Sequence, residues 1–575
     1  MRSAAVLIVL ALAPLWLVGM FGRGLWTPDE PREADIAWRM SGQSDRVLPE
    51  LAGRPFLEKP PLSYWIAGGA IALLGDSAAA ARLPNLLYAS IAAISIGVLA
   101  LAMQGSVISA VFAALVALSA LIAFRAAIWL APDAALLAGC ALALAGVWRG
   151  YTAPAGVRKA SGYALMHLGA ALGFMAKSAP GWLVPALALL TLIVWERRWT
   201  ELGRWELYAG LALQALVIGP WLYAVAHSAD GTQALRALFW HNTVGRFTRI
   251  ESPADLDYTT GHRNFPGKYL LELPLYLLPW TLITVAALAR AAQRTRAAGA
   301  RGTPWRFAVA ASVPFLALLS IAATARDVYA APALLGFGLL AGLWAQEAGH
   351  APLALDRWAV RATRELVTAL AWVLALTLLV LAVCGEGSRL ACLAAAAGTL
   401  ATAHVARFAG ARAQRTGHLH LSVGWIYTGY AAAVCVSAFA ALPVVDRWQD
   451  LPELARRIRA DTAHEQLALL DPDETTIAIL DRGLATPFAI LRSDGRTAQQ
   501  VAGEWLKGHG REARVLVLLP GHAPGRLTRW LEPFLGPPRE DDGIARRVTA
   551  SGAAVFVARY QLPQGRRYAL LGPPS

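Results

Sequence analysis

The sequence predicts a polytopic α-helical membrane protein of about thirteen spans, with interfacial helices in its first outer loop and a small α/β domain at its C-terminal end. Three observations predict this. The 575 residues are 57% hydrophobic and 16% charged, with a mean hydropathy of +0.46, whereas a soluble domain carries about 25% charged residues. Apolar runs close to the ~20 residues that a spanning helix needs recur as far as residue 443. Beyond that point the runs shorten to strand length and alternate with helical patterns.

The expected spans are 4–21, 83–103, 107–124, 131–148, 160–176, 180–195, 206–226, 269–291, 306–323, 329–346, 365–384, 388–408 and 422–443. The first follows Arg2 like a signal peptide but lacks a small-x-small cleavage site, so an uncleaved span is expected. With the N-terminus in the cytoplasm, each even-numbered span from the fourth onward exits into a basic loop. These loops hold Arg149, Arg158 and Lys159; Arg197, Arg198 and Arg204; Arg290, Arg294, Arg296, Arg301 and Arg306; Arg357, Arg361 and Arg364; and Arg407, Arg412 and Arg415. The net charge of +14 is therefore a topological bias, which argues against nucleic acid as a partner. Residues 60–75 are apolar too, but counting them as a span would turn every basic loop outward. They read as an interfacial or re-entrant helix.

Residues 1–443 thus form a membrane domain with two long outer loops, 22–82 and 227–268, and residues 444–575 form an α/β domain on the outer side. In the first loop a helix is expected from about Glu30 to Met40, with Pro31 in its first turn and Asp29 at its cap; a second begins at Pro60. In the C-terminal domain, strands are expected at 476–480, 515–519, 554–558 and 568–571, and helices at 451–459 and 498–507. The four cysteines all fall in expected spans, so no disulfide framework is predicted. No phosphate-cradling glycine motif appears, and no nucleotide cofactor is expected.

Residues 26–59 concentrate the chemistry, opening W-T-P-D-E-P-R-E-A-D and closing R-P-F-L-E-K-P-P. Such charges are costly beside a bilayer, so the functional reading is a polar-substrate site at the membrane surface; the plain reading is a solvated loop. Other outer turns add Asp133, Lys177, His241, Arg246, Arg249, His262, Arg263, Arg326 and Tyr329 to Asp29, Glu30, Arg32, Glu58 and Lys59. Carboxylates among several cations suit a phosphate-bearing substrate whose reaction also needs a base or a metal. Asp29 has a plain alternative as a helix cap, and Lys177 one as a snorkelling lysine.

P-D-E-x-R after the first span, G-R-P-F-L-E-K-P-P, A-K-S-A-P-G before the sixth, F-W-H-N-x-x-x-R-F, G-H-R-N-F-P-x-x-Y and L-L-P-W occur here in that order. The set resembles the GT-C superfamily of polyprenyl-phosphate-dependent glycosyltransferases, in particular the lipid A 4-amino-4-deoxy-L-arabinose transferase and protein O-mannosyltransferase group. The resemblance covers most of residues 20–340. It implies a bacterial inner-membrane enzyme with a periplasmic active site and C-terminal domain. Such an enzyme moves a sugar, with inversion, from a polyprenyl-phosphate donor to lipid A or another envelope acceptor.

By the same resemblance, Asp29 and Asp133 are the acidic groups near the reaction centre, Lys59 and Lys177 hold the donor phosphate, and Glu58 with a histidine, His262 in preference to His241, binds a divalent metal, zinc being the expected ion. The charge that develops on the leaving phosphate adds Arg32, Arg246, Arg326 and Tyr329 to its expected ligands, and Glu30 joins the expected catalytic carboxylates. Whether Asp29 acts as a base depends on the acceptor: a hydroxyl must lose a proton, whereas a lipid A phosphate is already anionic. Two departures, Pro31 in place of a threonine and R-D-V-Y-A-A-P around Arg326, leave the transferred sugar open. The alternatives are a protein O-glycosyltransferase, a flippase of lipid-linked sugars and a non-catalytic assembly protein. A flippase is disfavoured because it would carry charges in broken, repeated helices at mid-membrane.

Overall fold

The computed structural model describes residues 2–42, 46–245, 264–297, 299–463, 465–484, 486–493, 495–519 and 543–574. Among them, nine helices are long and apolar enough to cross a membrane, or up to eleven if two bent pairs each count as one span. The chain is a polytopic membrane protein. The expected thirteen is larger because two segments fall short. Val157–Lys177 carries Arg158, Lys159 and Lys177, and Pro180–Glu196 has only 17 residues.

The bent pairs are Val107–Ser119 with Leu121–Ile128 (74°) and Lys268–Tyr276 with Thr281–Arg294 (117°). Their breaks meet. Leu121 N–H donates to the Leu278 carbonyl at 2.8 Å, and the Trp280 indole donates to Ser119 Oγ at 2.9 Å. Each pair thereby satisfies polar groups that the other's interruption leaves free, as apolar surroundings require.

The helices Asp133–Thr152 and Val157–Lys177 form a hairpin in backbone contact. A Cβ on Gly146 would lie 2.2 Å from Met166 N, one on Gly162 2.3 Å from Gly150 N, and one on Gly169 2.4 Å from Ala143 N. Small residues at these spacings give close helix packing without a hydrophobic driving force. The antiparallel hairpin brings Asp133, at the start of one helix, beside Lys177, at the end of the other.

The basic turns gather at the opposite end of the bundle. Glu196 accepts from Tyr151 OH at 2.8 Å and Arg306 Nη1 at 3.1 Å, and Arg290 pairs with Asp356 and with Glu347 at 3.2 Å.

In the first loop, helix Glu30–Gly42 leads into a two-residue hairpin, β1 (Glu50–Leu51) with β2 (Arg54–Pro55), and then helix Leu62–Leu74. The latter has 13 residues, too few to span. The last membrane helix, Leu419–Trp448, runs past the expected end at residue 443.

A five-stranded mixed sheet follows. Its strands are β3 (Gln466–Leu470), β4 (Ala489–Leu491), β5 (Ala513–Leu519), β6 (Val555–Gln561) and β7 (Arg567–Gly572), in the order β4-β3-β5-β7-β6. Segment 476–480, expected as a strand, is part of helix Glu474–Gly483. Asp473 caps that helix, accepting from Thr476 N–H at 3.0 Å, and a short apolar run alone does not separate helix from strand. Strands β3 and β4 were not expected. One face of the sheet shares its core with the first loop, where Ile36, Met40, Phe56 and Tyr64 pack with Leu454, Ile477, Leu516 and Tyr568.

Candidate active site

The site is built on a clamp. Glu30 is fully buried and its carboxylate accepts six hydrogen bonds: two from Arg23 (2.6 and 3.0 Å), two from Arg82 (2.9 and 2.7 Å), and one each from the Trp26 and Leu130 N–H groups (both 2.9 Å). Arg23 is also held over the Trp26 ring at 4.4 Å. These bonds tie the start of the loop to helix Ala78–Gln104 and to the turn before Asp133. With both oxygens fully engaged, Glu30 has no capacity left for a substrate. That engagement points to a positioning role in place of the expected catalytic one.

One turn of backbone away lies an ionic cluster of different character. Asp29 Oδ1 accepts from Arg326 Nη1 at 2.6 Å and from Arg32 Nη2 at 3.3 Å. The Asp29 carbonyl accepts the Glu33 N–H at 3.0 Å, so the residue does stand at a helix start, but its carboxylate faces arginines. Burial alone would raise its pKa; the charges of Arg32, Arg326 and Lys59 prevail and bring it down to about 2.

Arg32 is buried and committed to three carboxylates: Asp29, Glu33 at 2.7 Å, and Glu474 of the C-terminal domain. In this structure it serves as the hub of the cluster. Lys59 Nζ donates to Glu33 Oε1 at 2.7 Å and lies 3.5 Å from Glu58. Burial works against the Lys59 charge, but Glu33 and Glu58 outweigh it and raise its pKa above the ordinary value. Arg326 is the accessible cation, with 45% of its side chain exposed against 2% for Arg32.

A second pair adjoins the first through the turn that carries Arg326. Lys177 Nζ donates to Asp133 Oδ1 at 2.5 Å and sits over the Tyr329 ring at 4.3 Å. The Tyr329 N–H in turn donates to the Arg326 carbonyl at 3.0 Å. Lys177 therefore does not snorkel. Its neighbour Ser178 holds φ +59°, ψ −136°, a conformation strained for any residue but glycine, and its buried Oγ has no hydrogen-bond partner among the described residues.

Asparagines from two of the sequence motifs brace this arrangement. Asn242 Nδ2 donates to the Leu57 and Glu58 carbonyls, both at 3.1 Å, and fixes the Glu58–Lys59 corner. Asn264 Nδ2 donates to the Ala325 carbonyl at 2.7 Å and fixes the Arg326 turn. Arg246 and His262, like Arg249 and Arg263, lie outside the described residues. His241 is buried, with Nδ1 unpartnered among the described residues.

No group of three His, Cys, Asp or Glu side chains that could hold a metal occurs among the described residues, and Glu58 already faces the Lys59 ammonium. The described residues do not by themselves fit a metal centre.

Sequence reading missed Glu33, Glu474, Arg23 and Arg82. Glu33 and Arg23 lay in view beside the P-D-E-P-R motif, and helical spacing from Asp29 would have put Glu33 on the same face. Nothing local marks Glu474 or Arg82, whose partners are 442 and 52 residues away.

Known proteins resemble this chain in sequence and in fold. Residues 58–223 match the dolichyl-phosphate-mannose-protein mannosyltransferase family model. The undecaprenyl phosphate-alpha-4-amino-4-deoxy-L-arabinose arabinosyl transferase of Pseudomonas aeruginosa (strain UCBPP-PA14) is 30% identical over 345 residues, 59% of each chain. The enzyme of that name from Edwardsiella ictaluri is 30% identical over 340 residues, 59% of this chain and 58% of its own. The chain thus spans under two thirds of the length of the curated relatives it matches. The crystal structure of ArnT from Cupriavidus metallidurans bound to undecaprenyl phosphate superposes with a TM-score of 0.71 at 19% identity, over 98% of this chain and 97% of that one. That likeness establishes the fold. In sequence and in fold, the chain is similar to the GT-C polyprenyl-phosphate-dependent glycosyltransferases of the aminoarabinose transferase and protein mannosyltransferase group.

Proposed function

We propose that this protein is an inverting glycosyltransferase of the bacterial inner membrane. It moves one sugar, aminoarabinose-like in class, from a polyprenyl-phosphate donor to lipid A or another anionic envelope acceptor. The active site and the C-terminal domain face the periplasm, opposite the basic loops. The observation that carries this reading is the convergence of Asp29, Lys59, Asp133, Lys177 and Arg326, from widely separated stretches, in adjoining ion pairs at one end of the bundle.

The donor's phosphate diester carries one charge and gains another as it leaves. Arg326, Lys177 and Lys59 are placed to take that charge from the carboxylates that hold them at rest. The acceptor oxygen attacks the anomeric carbon from the face opposite the phosphate. The carbon–oxygen bond to the phosphate then breaks, and its electron pair leaves with the polyprenyl phosphate. Once Arg326 turns to the phosphate, Asp29 is freed to orient the nucleophile and to stabilise the electron-poor carbon.

At rest, with Arg32 and Arg326 on it, Asp29 has a pKa of about 2 and is a poor proton acceptor, which favours a nucleophile that is already anionic unless the departure of Arg326 restores its basicity. A phosphate acceptor has no proton to lose in the step; a protein hydroxyl has one. The match of residues 58–223 to the protein mannosyltransferase model favours a protein hydroxyl as the second reading.

Mass spectrometry of envelope lipids and glycoproteins, from cells with and without the gene, tests both. A sugar-sized mass lost from a phosphorylated envelope lipid supports the first reading, and one lost from a protein supports the second. Unchanged profiles of both would overturn the assignment. A divalent ion at Glu58 and His262 is a separate proposal, on which no step above depends. Zinc at about one per chain in the purified protein would support it; full transfer by metal-free protein would remove it.

A further inference from the structure

Glu33, the partner of Lys59, forms part of the wall of a small pouch that the reaction scheme leaves unused. The pouch is lined by Glu33, Ser63, Tyr64, Asn85, Tyr88 and Leu130, and its accessible volume of about 10 Å³ fits one water-sized group. On its lining residues Ser63 Oγ and Tyr88 OH are buried without a hydrogen-bond partner among the described residues, and the Tyr64 hydroxyl faces the Glu33 carboxylate, whose Oε2 keeps accepting capacity. Glu33 and Tyr64 are each 2% exposed and Tyr88 8%. Buried groups of this kind are costly to leave unpaired, so something must enter and satisfy them.

The chemistry of the lining defines what enters. A carboxylate oxygen only accepts, while the three hydroxyls can donate or accept. An anion is therefore repelled, and a group that donates at least one hydrogen bond is favoured. Position narrows the choice further. The other Glu33 oxygen holds Lys59, and the Leu130 wall leads within three residues to Asp133 and is pinned by the Glu30 clamp. The pouch thus adjoins both carboxylate stations of the reaction cluster.

We propose that this pouch receives one hydrogen-bond-donating substituent of the transferred sugar, a hydroxyl or an ammonium. Glu33 is its acceptor, and Tyr64 and Tyr88 limit its size. Glu33 is then a specificity-determining residue that reads the sugar while the cations beside it hold the phosphate. This rests on the glycosyltransferase reading above.

The test uses the full-length protein in detergent with two probes: polyprenyl phosphate without a sugar, and polyprenyl-phosphate pentoses that differ only in an amino, hydroxyl or hydrogen substituent at one carbon. Glu33→Gln also loosens Lys59, so Tyr88→Phe and Tyr64→Phe, which break no ion pair, accompany it. The expected result is a rise of about tenfold in the KM of the preferred sugar donor for Tyr88→Phe, with a smaller preference over the hydrogen-substituted donor. Binding of sugar-free polyprenyl phosphate should stay within about twofold.

Equal weakening of both probes would assign the pouch to scaffolding. No change in either for all three variants would assign it to a structural water. Both outcomes overturn the proposal. If the unaltered protein binds sugar-free polyprenyl phosphate but transfers none of the pentoses, the pouch proposal fails and the donor class stands. If it binds neither probe, the glycosyltransferase reading itself fails.

Discussion

Glu30 and Glu33 lie on one turn of the same helix, are buried to the same degree and are both paired with cations, yet they belong to opposite kinds of region. Around Glu30 every lone pair is taken: six donors from four residues close the carboxylate off. Around Asp29 and Glu33 the pairing is incomplete. Among the described residues, Glu33 Oε2 and the hydroxyl of the strained Ser178 beside Lys177 keep hydrogen-bonding capacity, and Arg326 is half exposed. A saturated ion-pair network holds shape; one with capacity left can exchange its partners for those of a substrate. That difference separates scaffold from site more sharply than burial or charge does.

The largest expected effect comes from removing a carboxylate of the unsaturated region. Asp29→Asn keeps the size of the side chain but loses the charge near the reacting carbon. Transfer per folded molecule should fall by about 10³-fold or more, with the thermal midpoint in detergent moving by only a few degrees. Activity within tenfold of the unaltered protein would take Asp29 out of the site. Lys59→Ala should act next most strongly, raising the donor KM by about 10²-fold and leaving the acceptor KM nearly unchanged. A lower turnover at constant donor KM would assign Lys59 to the transition state alone.

How far this contrast can be read without a structure depends on the range of the interactions that make it. The thirteen apolar segments were legible because each signals itself locally, and each falls on a helix or a bent pair. The meeting of Asp133 with Lys177 follows from small residues spaced along two consecutive helices. Asp29 and Lys59 were legible through their motifs, and Arg326 through its place in an outer turn. The role of Glu30 was not, since the same P-D-E-P-R string places one carboxylate in the site and the next in the clamp. Only Arg82, 52 residues on, and the Leu130 N–H, 100 residues on, decide between them. The contribution of the C-terminal domain was equally hidden, because Glu474 reaches Arg32 through tertiary packing alone. The misread segment 476–480 shows the same limit at the level of secondary structure, where an Asp473 cap overrides a run of β-branched residues.

The clamp itself gives the third prediction, which inverts the first. Glu30→Gln leaves Arg23 and Arg82 buried with only partial compensation, and breaking a buried pair in this way costs about 3–5 kcal/mol. The variant should accumulate poorly and melt well below the unaltered protein. The fraction that folds should transfer sugar at a rate within about fivefold of the original. A stable but inactive Glu30→Gln protein would return Glu30 to the catalytic set and erase the distinction between the two regions.

The smallest effect concerns pH. Asp29 has its pKa lowered from 3.8 to about 2, so its ion pairs contribute fully above the unfolded value and are lost only as pH falls toward about 2. Between pH 5 and 8 Asp29 keeps its charge, and neither stability nor turnover should carry an acid limb attributable to it. A general base for a hydroxyl acceptor would behave differently: its pKa would lie nearer neutrality, and turnover would fall as it took up a proton. The rate of the purified protein with a phosphorylated lipid acceptor should accordingly be flat over this range and identical in shape in Glu30→Gln. A carboxylate limb near pH 5–6 that disappears in Asp29→Asn would mean that donor binding strips Asp29 of its arginines far enough to make it a base, and would shift the balance toward a hydroxyl acceptor.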